Sequence, residues 1–149
     1  MEVGRAILFG EFDLTIDEKC RVIVPAEFRK QLEEYKDATN FIVLIGNDRR
    51  PWIFPERIYR NMVSQRQQEL APSANRLAFD DQYFAMARAV ECDRAGRILL
   101  PEKVLQRTNT GREVTVTGSD THMKIWNRAD WEARALALLE RNSQNPDAF

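Results

Sequence analysis

Four side chains stand at a spacing that could do chemistry. Asp17 and Arg21, and again Asp93 and Arg97, lie four residues apart, each pair followed by three apolar residues and a proline. The two copies read Ile16-Asp17-Glu18-Lys19-Cys20-Arg21-Val22-Ile23-Val24-Pro25 and Cys92-Asp93-Arg94-Ala95-Gly96-Arg97-Ile98-Leu99-Leu100-Pro101. If a tight turn joins each pair, the Asp can hold the Arg and aim it outward. A guanidinium fixed in advance loses less side-chain entropy on binding and favours bidentate contact with guanine or phosphate. The plainer reading is a hairpin staple, an exposed ion pair worth under ~1 kcal/mol.

Other chemistry finds little support in the residues. His122 is the sole histidine and falls in a predicted hairpin turn, where an exposed imidazole is usually inert. Cys20 and Cys92 occupy non-equivalent positions in the two copies and belong to no Cys-x-x-Cys pair, so they read as free thiols in a reducing compartment. One His and two distant Cys make no typical zinc site. Gly46, Gly96, Gly111 and Gly118 punctuate turns and match no phosphate-binding loop. The expectation is a protein that is not an enzyme, with no metal, no cofactor and no small-molecule substrate.

The elements that must position the Asp and Arg pairs are themselves repeated. Phe41-Ile42-Val43-Leu44-Ile45-Gly46 lines up with Glu113-Val114-Thr115-Val116-Thr117-Gly118, and Trp52-Ile53-Phe54 with Lys124-Ile125-Trp126. Between Pro25 and Gly46 the first copy is four residues longer than the second between Pro101 and Gly118, which reads as a loop difference. A unit of roughly fifty residues is too small to bury an adequate core alone, and the obvious partner is the other copy.

Ala6 to Gly10 is a short apolar run, and Glu11 to Ile16 alternates with period two, the mark of a half-buried strand. A turn at Asp17 to Cys20 then leads to a strand at Arg21 to Val24. The second copy repeats this from Ala89 to Leu100, with Gly96 where a turn often needs positive φ. Cys20 holds that position in the first copy. Either it strains the turn slightly, or the first turn does not require positive φ.

Pro25 and Pro101 each open a short helix, since proline suits the first turn. Two β segments close each unit, with turns at Gly46-Asn47-Asp48 and Gly118-Ser119-Asp120. A longer amphipathic helix follows each: Pro55 toward Leu70, with Ile58 and Met62 on one face, and Arg128 to Arg141, with Trp131, Ala135, Leu138 and Leu139 at helical spacing. Ala71-Pro72-Ser73 interrupts, Asn75 to Met86 reads as a further helix, and Asn142 to Pro146 reads as a disordered tail.

Composition adds bounds. The chain has 149 residues, 22 basic and 23 acidic, so bulk charge neither proposes nor excludes a polyanionic partner. No stretch approaches the ~20 apolar residues of a membrane helix, and Met1-Glu2-Val3-Gly4-Arg5 lacks a cleavable signal pattern. A cytoplasmic protein with no membrane partner is expected. Arg29, Lys30, Arg49 and Arg50 sit beside Glu33, Glu34 and Asp48 and read as a solvated, salt-bridged surface. Trp52, Trp126 and Trp131 lie in apolar patterns and are assigned to packing or subunit contact.

The tandem unit Asp-x-x-x-Arg-apolar-apolar-apolar-Pro, 76 residues apart and each followed by a helix and a Gly-closed hairpin, resembles the MraZ family of bacterial transcriptional regulators with two AbrB-like (SpoVT-AbrB) repeats. The resemblance covers about residues 4–141. It implies a mainly β, α+β fold, in which two swapped-hairpin β-α-β units interlock as a pseudo-twofold barrel flanked by amphipathic helices. The division expected is repeat 1 at 4–56, a helical connector at 57–87, repeat 2 at 88–131, and a C-terminal helix and tail at 132–149.

The resemblance further implies a ring-shaped homo-oligomer, nucleoid-associated, that binds double-stranded DNA at repeated promoter sites of the division and cell-wall gene cluster. On this reading Arg21 and Arg97 contact DNA, and Lys19 and Arg94 add charge in the same loops. Arg5 joins them as a basic residue near the start. Asp17, Asp93, Pro25, Pro101 and Gly96 form the structural motif. The family pattern has Gly at the Cys20 position, so the second motif could dominate the contacts. Two rival classes stay open: an antitoxin-like protein-binding module and a scaffold that does not bind DNA.

Overall fold

The computed structural model describes residues 4–69 and 74–144. The elements run β1 (Glu11–Thr15), β2 (Arg21–Ile23), α1 (Ala26–Glu34), β3 (Asn40–Ile45), β4 (Pro51–Pro55), α2 (Glu56–Glu69), α3 (Ala74–Asp80) with a π-helical turn at Asp81–Ala85, β5 (Arg88–Glu91), β6 (Arg97–Leu99), α4 (Glu102–Arg107), β7 (Glu113–Gly118), β8 (Met123–Asn127) and α5 (Arg128–Gln144). The fold is α+β with antiparallel strands.

Each copy lends its first strand to the other. β1 pairs with β7, from Glu11 opposite Thr117 to Thr15 opposite Glu113. Its counterpart β5 pairs with β3, from Arg88 opposite Val43 to Glu91 opposite Asn40. Two pairings cross the pseudo-twofold axis directly: β4 with β8, and β2 with β6. The result is a six-stranded sheet in the order β1-β7-β8-β4-β3-β5 and a two-stranded ribbon, β2-β6, wrapped as a swapped-hairpin barrel.

Burial explains why the copies interlock. Val22, Val24, Phe28 and Leu32 of the first copy join Ile98, Leu100, Val104, Val114 and Ile125 of the second in one cluster, every one of them buried. Phe12 stacks edge-on against Phe28, ring centres 5.1 Å apart, which seats α1 against β1. A satellite cluster of Leu44, Phe54 and Ile58, with Tyr59 and Met62 packed on it, docks α2 on the outer face of the hairpin before it.

Several boundaries differ from those the sequence implies. Three of the four extra residues of the first copy lie in α1, which has nine residues against six in α4, so the insertion is mostly an added helical turn. Pro25 and Pro101 sit one residue before their helices, as caps whose carbonyls accept the first helical hydrogen bonds (2.9 Å from Phe28 N–H, 3.0 Å from Val104 N–H). Ala6 to Gly10 forms no strand: it is joined by an isolated bridge, Leu8 to Asp120, and by the bond from Gly118 N–H to the Gly10 carbonyl (2.9 Å), with Ala6 and Leu8 buried in the core. Asn142 to Gln144 continue α5 instead of forming a tail. Asn145 and Pro146, Leu70 and Ala71-Pro72-Ser73 lie outside the described residues.

Because both copies share one core, Ile98→Ala should destabilise the whole molecule by about 3 kcal/mol. Denaturant unfolding followed by far-UV circular dichroism and by tryptophan fluorescence should then give coincident single transitions. Two separated transitions would show that the repeats unfold independently.

Candidate nucleic-acid interface

Each Asp-x-x-x-Arg turn is organised around one carboxylate. Asp17 Oδ1 accepts from the backbone N–H groups of Lys19 and Arg21, both at 2.9 Å, while Oδ2 accepts from Arg21 Nε at 2.8 Å. The second turn repeats this: Asp93 Oδ1 accepts from Ala95 and Arg97 N–H at 2.9 and 3.0 Å, and Oδ2 from Arg97 Nε at 3.0 Å. The Arg21 and Arg97 backbone N–H bonds are the largest influence holding the Asp17 and Asp93 carboxyls below their usual range. Both groups therefore stay ionised at neutral pH.

The turns also stitch the copies together. Val24 N–H donates to the Gly96 carbonyl (2.8 Å), and Leu100 N–H to the Cys20 carbonyl (2.7 Å). Those carbonyls reach across because Cys20 and Gly96 both adopt left-handed backbone, at φ 62° and 82°. The first turn thus does require positive φ, and Cys20 supplies it at a steric cost that glycine escapes.

The way each arginine is held decides what it can still do. Arg21 and Arg97 spend only Nε on Asp; among the described residues nothing hydrogen-bonds their terminal nitrogens. Four N–H donors on each planar fork remain unspent. Arg5 is different. Its Nη1 and Nη2 donate to the two carboxylate oxygens of Asp120 at 2.7 and 3.1 Å, so its fork is occupied. Asp120 also lies beside Leu8, at the end of β1 away from Asp17, so the structure does not bring Arg5 to the turns.

Pairing of β2 with β6 brings the other candidates together. Arg21 faces Leu99 and Arg97 faces Ile23 across the ladder. Sheet dimensions then put the two arginines ~8 Å apart on one diagonal. Val22 and Ile98 point into the core, so the arginines share the outward face. Lys19 and Arg94 are exposed in the adjoining turns.

Arg29 joins this group, although its acidic neighbours Glu33 and Glu34 point to a salt-bridged surface. Its Nε donates to the Val24 carbonyl at 3.0 Å, and its head lies over Gly96, where a Cβ would come within 2.5 Å of Nη1. No carboxylate among the described residues bonds it. The counterpart of Arg29 in the second copy is Leu105, and that difference between repeats, together with Gly96 against Cys20, is the sequence signal for it. Turn 1 carries Asp17 and Glu18 against Lys19 and Arg21; turn 2 carries Asp93 against Arg94 and Arg97, with Arg29 above. The second turn is therefore the more electropositive.

His122 is not an exposed turn residue. Its ring stacks against both Trp52 and Phe54, with centres at 4.7 and 4.5 Å, Nδ1 is 2.9 Å from Thr121 Oγ1, and Nε2 is buried with no hydrogen-bond partner among the described residues. Burial, aided by Lys124, lowers its pKa from 6.5 to about 4. Both aromatic neighbours come from β4 of the other copy, so the β7–β8 loop gives no local hint of this stacking. Among the described residues no group of three or more His, Cys, Asp or Glu could hold a metal ion. Nor is any described helix long and apolar enough to cross a membrane.

The chain matches the family described as "MraZ protein, putative antitoxin-like" over residues 7–80 and 83–148. It is 33% identical over 126 residues to a Moorella thermoacetica protein named transcriptional regulator MraZ, covering 85% of each chain. Proteins of the same name from Desulforamulus reducens and Pediococcus pentosaceus are each 32% identical, over 142 and 141 residues. These alignments cover 93% and 95% of this chain and 96% and 92% of those relatives.

Relief of the left-handed strain should make Cys20→Gly more stable by about 0.5–1 kcal/mol, the steric gain less the added freedom of the unfolded chain. Urea unfolding of the two proteins side by side checks this. The unfolded chain binds a proton at His122 near pH 6.5, whereas the folded one does so only near pH 4, so stability falls as pH drops through that window. With residual solvent contact allowed for, the loss is on the order of 2 kcal/mol. Asp17 and Asp93 contribute above their unfolded range and lose their contribution only below it, as pH falls through their lowered folded values. Unfolding of the parent and His122→Phe at pH 7 and 4.5 should therefore show a smaller acid loss in the variant.

Proposed function

The chain belongs to the MraZ family, and on that footing we propose that it is a transcriptional regulator that binds double-stranded DNA sequence-specifically through the β2–β6 ribbon and its two turns. The observation that carries the reading is the mode of arginine anchoring: Asp17 and Asp93 fix Arg21 and Arg97 by Nε and leave both forks free. A fork held this way is pre-organised for guanine O6 and N7 or for phosphate. A two-stranded ribbon also fits the width of the major groove. Lys19, Arg94 and Arg29 add cationic charge around it, while Arg5 acts as a staple to Asp120.

Affinity on this reading comes from assembly. A near-neutral chain with two small basic turns binds DNA weakly alone, but several copies on one ring make later contacts effectively intramolecular. Exposed Ile7 and Phe9 ahead of β1, and exposed Leu136 and Leu139 on α5, supply apolar surface for such self-association. The ring would span repeated promoter sites, those of the division and cell-wall gene cluster, and would act in the cytoplasm at the nucleoid. No catalytic step, metal or cofactor enters this account.

Fluorescence anisotropy should detect tight, salt-sensitive binding to DNA from the region upstream of the protein's own coding sequence, and weak binding to a scrambled duplex. Arg21→Ala/Arg97→Ala should weaken it by about 100-fold or more with unchanged oligomer size. Equal weak binding to both duplexes, unaltered in the variant, would reduce the turns to hairpin staples and favour a scaffold.

A further inference from the structure

We propose that Ile23 and Leu99 determine specificity on the ribbon, each seating against the 5-methyl group of a thymine in the major groove; the inference rests on the DNA-binding reading above. Both residues share the outward face with Arg21 and Arg97, because Val22 and Ile98, at 3% and 1% exposure, take the inward positions. Ile23 is 40% exposed and Leu99 55%. The ladder places Arg21 opposite Leu99 and Ile23 opposite Arg97. The outward face is thus a four-cornered plate, with guanidinium groups on one diagonal and branched aliphatic side chains on the other.

A plate that only clamped phosphate would gain nothing from two aliphatic corners. The floor of the major groove offers both kinds of complement: acceptors on guanine and, as its one apolar group, the thymine methyl. Charge selects the occupant. Lys19, Arg94 and Arg29 add to Arg21 and Arg97, and these five cations outnumber Asp17, Glu18 and Asp93, so the plate is net positive, which favours a polyanion over a second copy of a near-neutral chain. The apolar groove at Ile7 and Phe9, by contrast, is edged by Glu27 and Glu34 with Lys30 between them in sequence, so its rim is net acidic. The ~8 Å diagonal between Ile23 and Leu99 matches the rise over about two to three base pairs, so the two methyls should lie that far apart about the pseudo-twofold axis.

The test titrates the full-length protein by fluorescence anisotropy against its own upstream duplex and against the same duplex with deoxyuridine in place of every thymine. That exchange deletes the methyls and keeps every hydrogen-bonding edge. Each lost methyl contact should cost about four-fold in affinity, and the pair about fifteen-fold. Ile23→Ala/Leu99→Ala, with unchanged oligomer size, should bind the two duplexes equally. If the parent protein binds both duplexes alike while Arg21→Ala/Arg97→Ala still abolishes binding, the methyl contact is wrong and the regulator reading stands. Persistence of the thymine preference in Ile23→Ala/Leu99→Ala overturns the assignment of these residues, and a changed oligomer size shows that a second copy covers the plate. Failure of the parent to bind either duplex overturns the DNA-binding reading itself, and this inference with it.

Discussion

Neither repeat can cover its own strands, and that constraint shapes everything else in the molecule. β1 has no partner within its own copy and finds one in β7; β5 finds β3 in return. β2 is only three residues long, and its one inward side chain, Val22, becomes part of a core only when β6 lies beside it. Val22 facing Ile98 is the centre of this arrangement, since the ribbon's two sides are set by those inward side chains. Once they are buried, alternation leaves Arg21 and Arg97 on the surface together. The proposed binding face is thus a consequence of core formation and needs no separate folding event.

The carboxylates of Asp17 and Asp93 convert that placement into a defined geometry. Each closes its turn through two backbone bonds and uses its second oxygen to hold Nε, so turn closure and arginine orientation come from one group. Arg5 marks the contrast, because Asp120 takes both of its terminal nitrogens and so fills the end-on edge that Arg21 and Arg97 keep free. The pseudo-symmetry is imperfect where it bears on charge. Gly96 leaves room for Arg29, whereas the first turn has Cys20 in the same left-handed position and Leu105 in place of the arginine.

The interlocked barrel was legible through the family resemblance and through the small size of each repeat, while the detail legible from the residues themselves was local. Period-two alternation located β1, the repeated Asp, Arg and Pro located the turns, and the helical openings at Pro25 and Pro101 followed from proline's geometry to within one residue. Strand partners were not legible, because β1–β7 and β3–β5 pairings join residues far apart in the chain and depend on burying both copies at once. The same reason hid the stacking of His122 on Trp52 and Phe54 and the Arg5–Asp120 pair, whose partners come from distant segments. Arg29 has Glu33 and Glu34 beside it in sequence, but its side chain turns back over the second copy instead of along its own helix. The left-handed conformation of Cys20 has no signal in its residue type, because it is set by the bond from Leu100 N–H to its carbonyl, across the two copies.

On the proposed reading, the forks freed by Nε anchoring are what meets DNA. A cryo-electron-microscopy structure of the protein on its upstream DNA tests this most directly. The account predicts the β2–β6 ribbon in the major groove, Asp17 and Asp93 still holding Nε, and the terminal nitrogens of Arg21 and Arg97 at about 2.7–3.0 Å from guanine or phosphate oxygens or guanine N7. DNA lying instead along α5 or another face, with both arginines facing solvent, would contradict it.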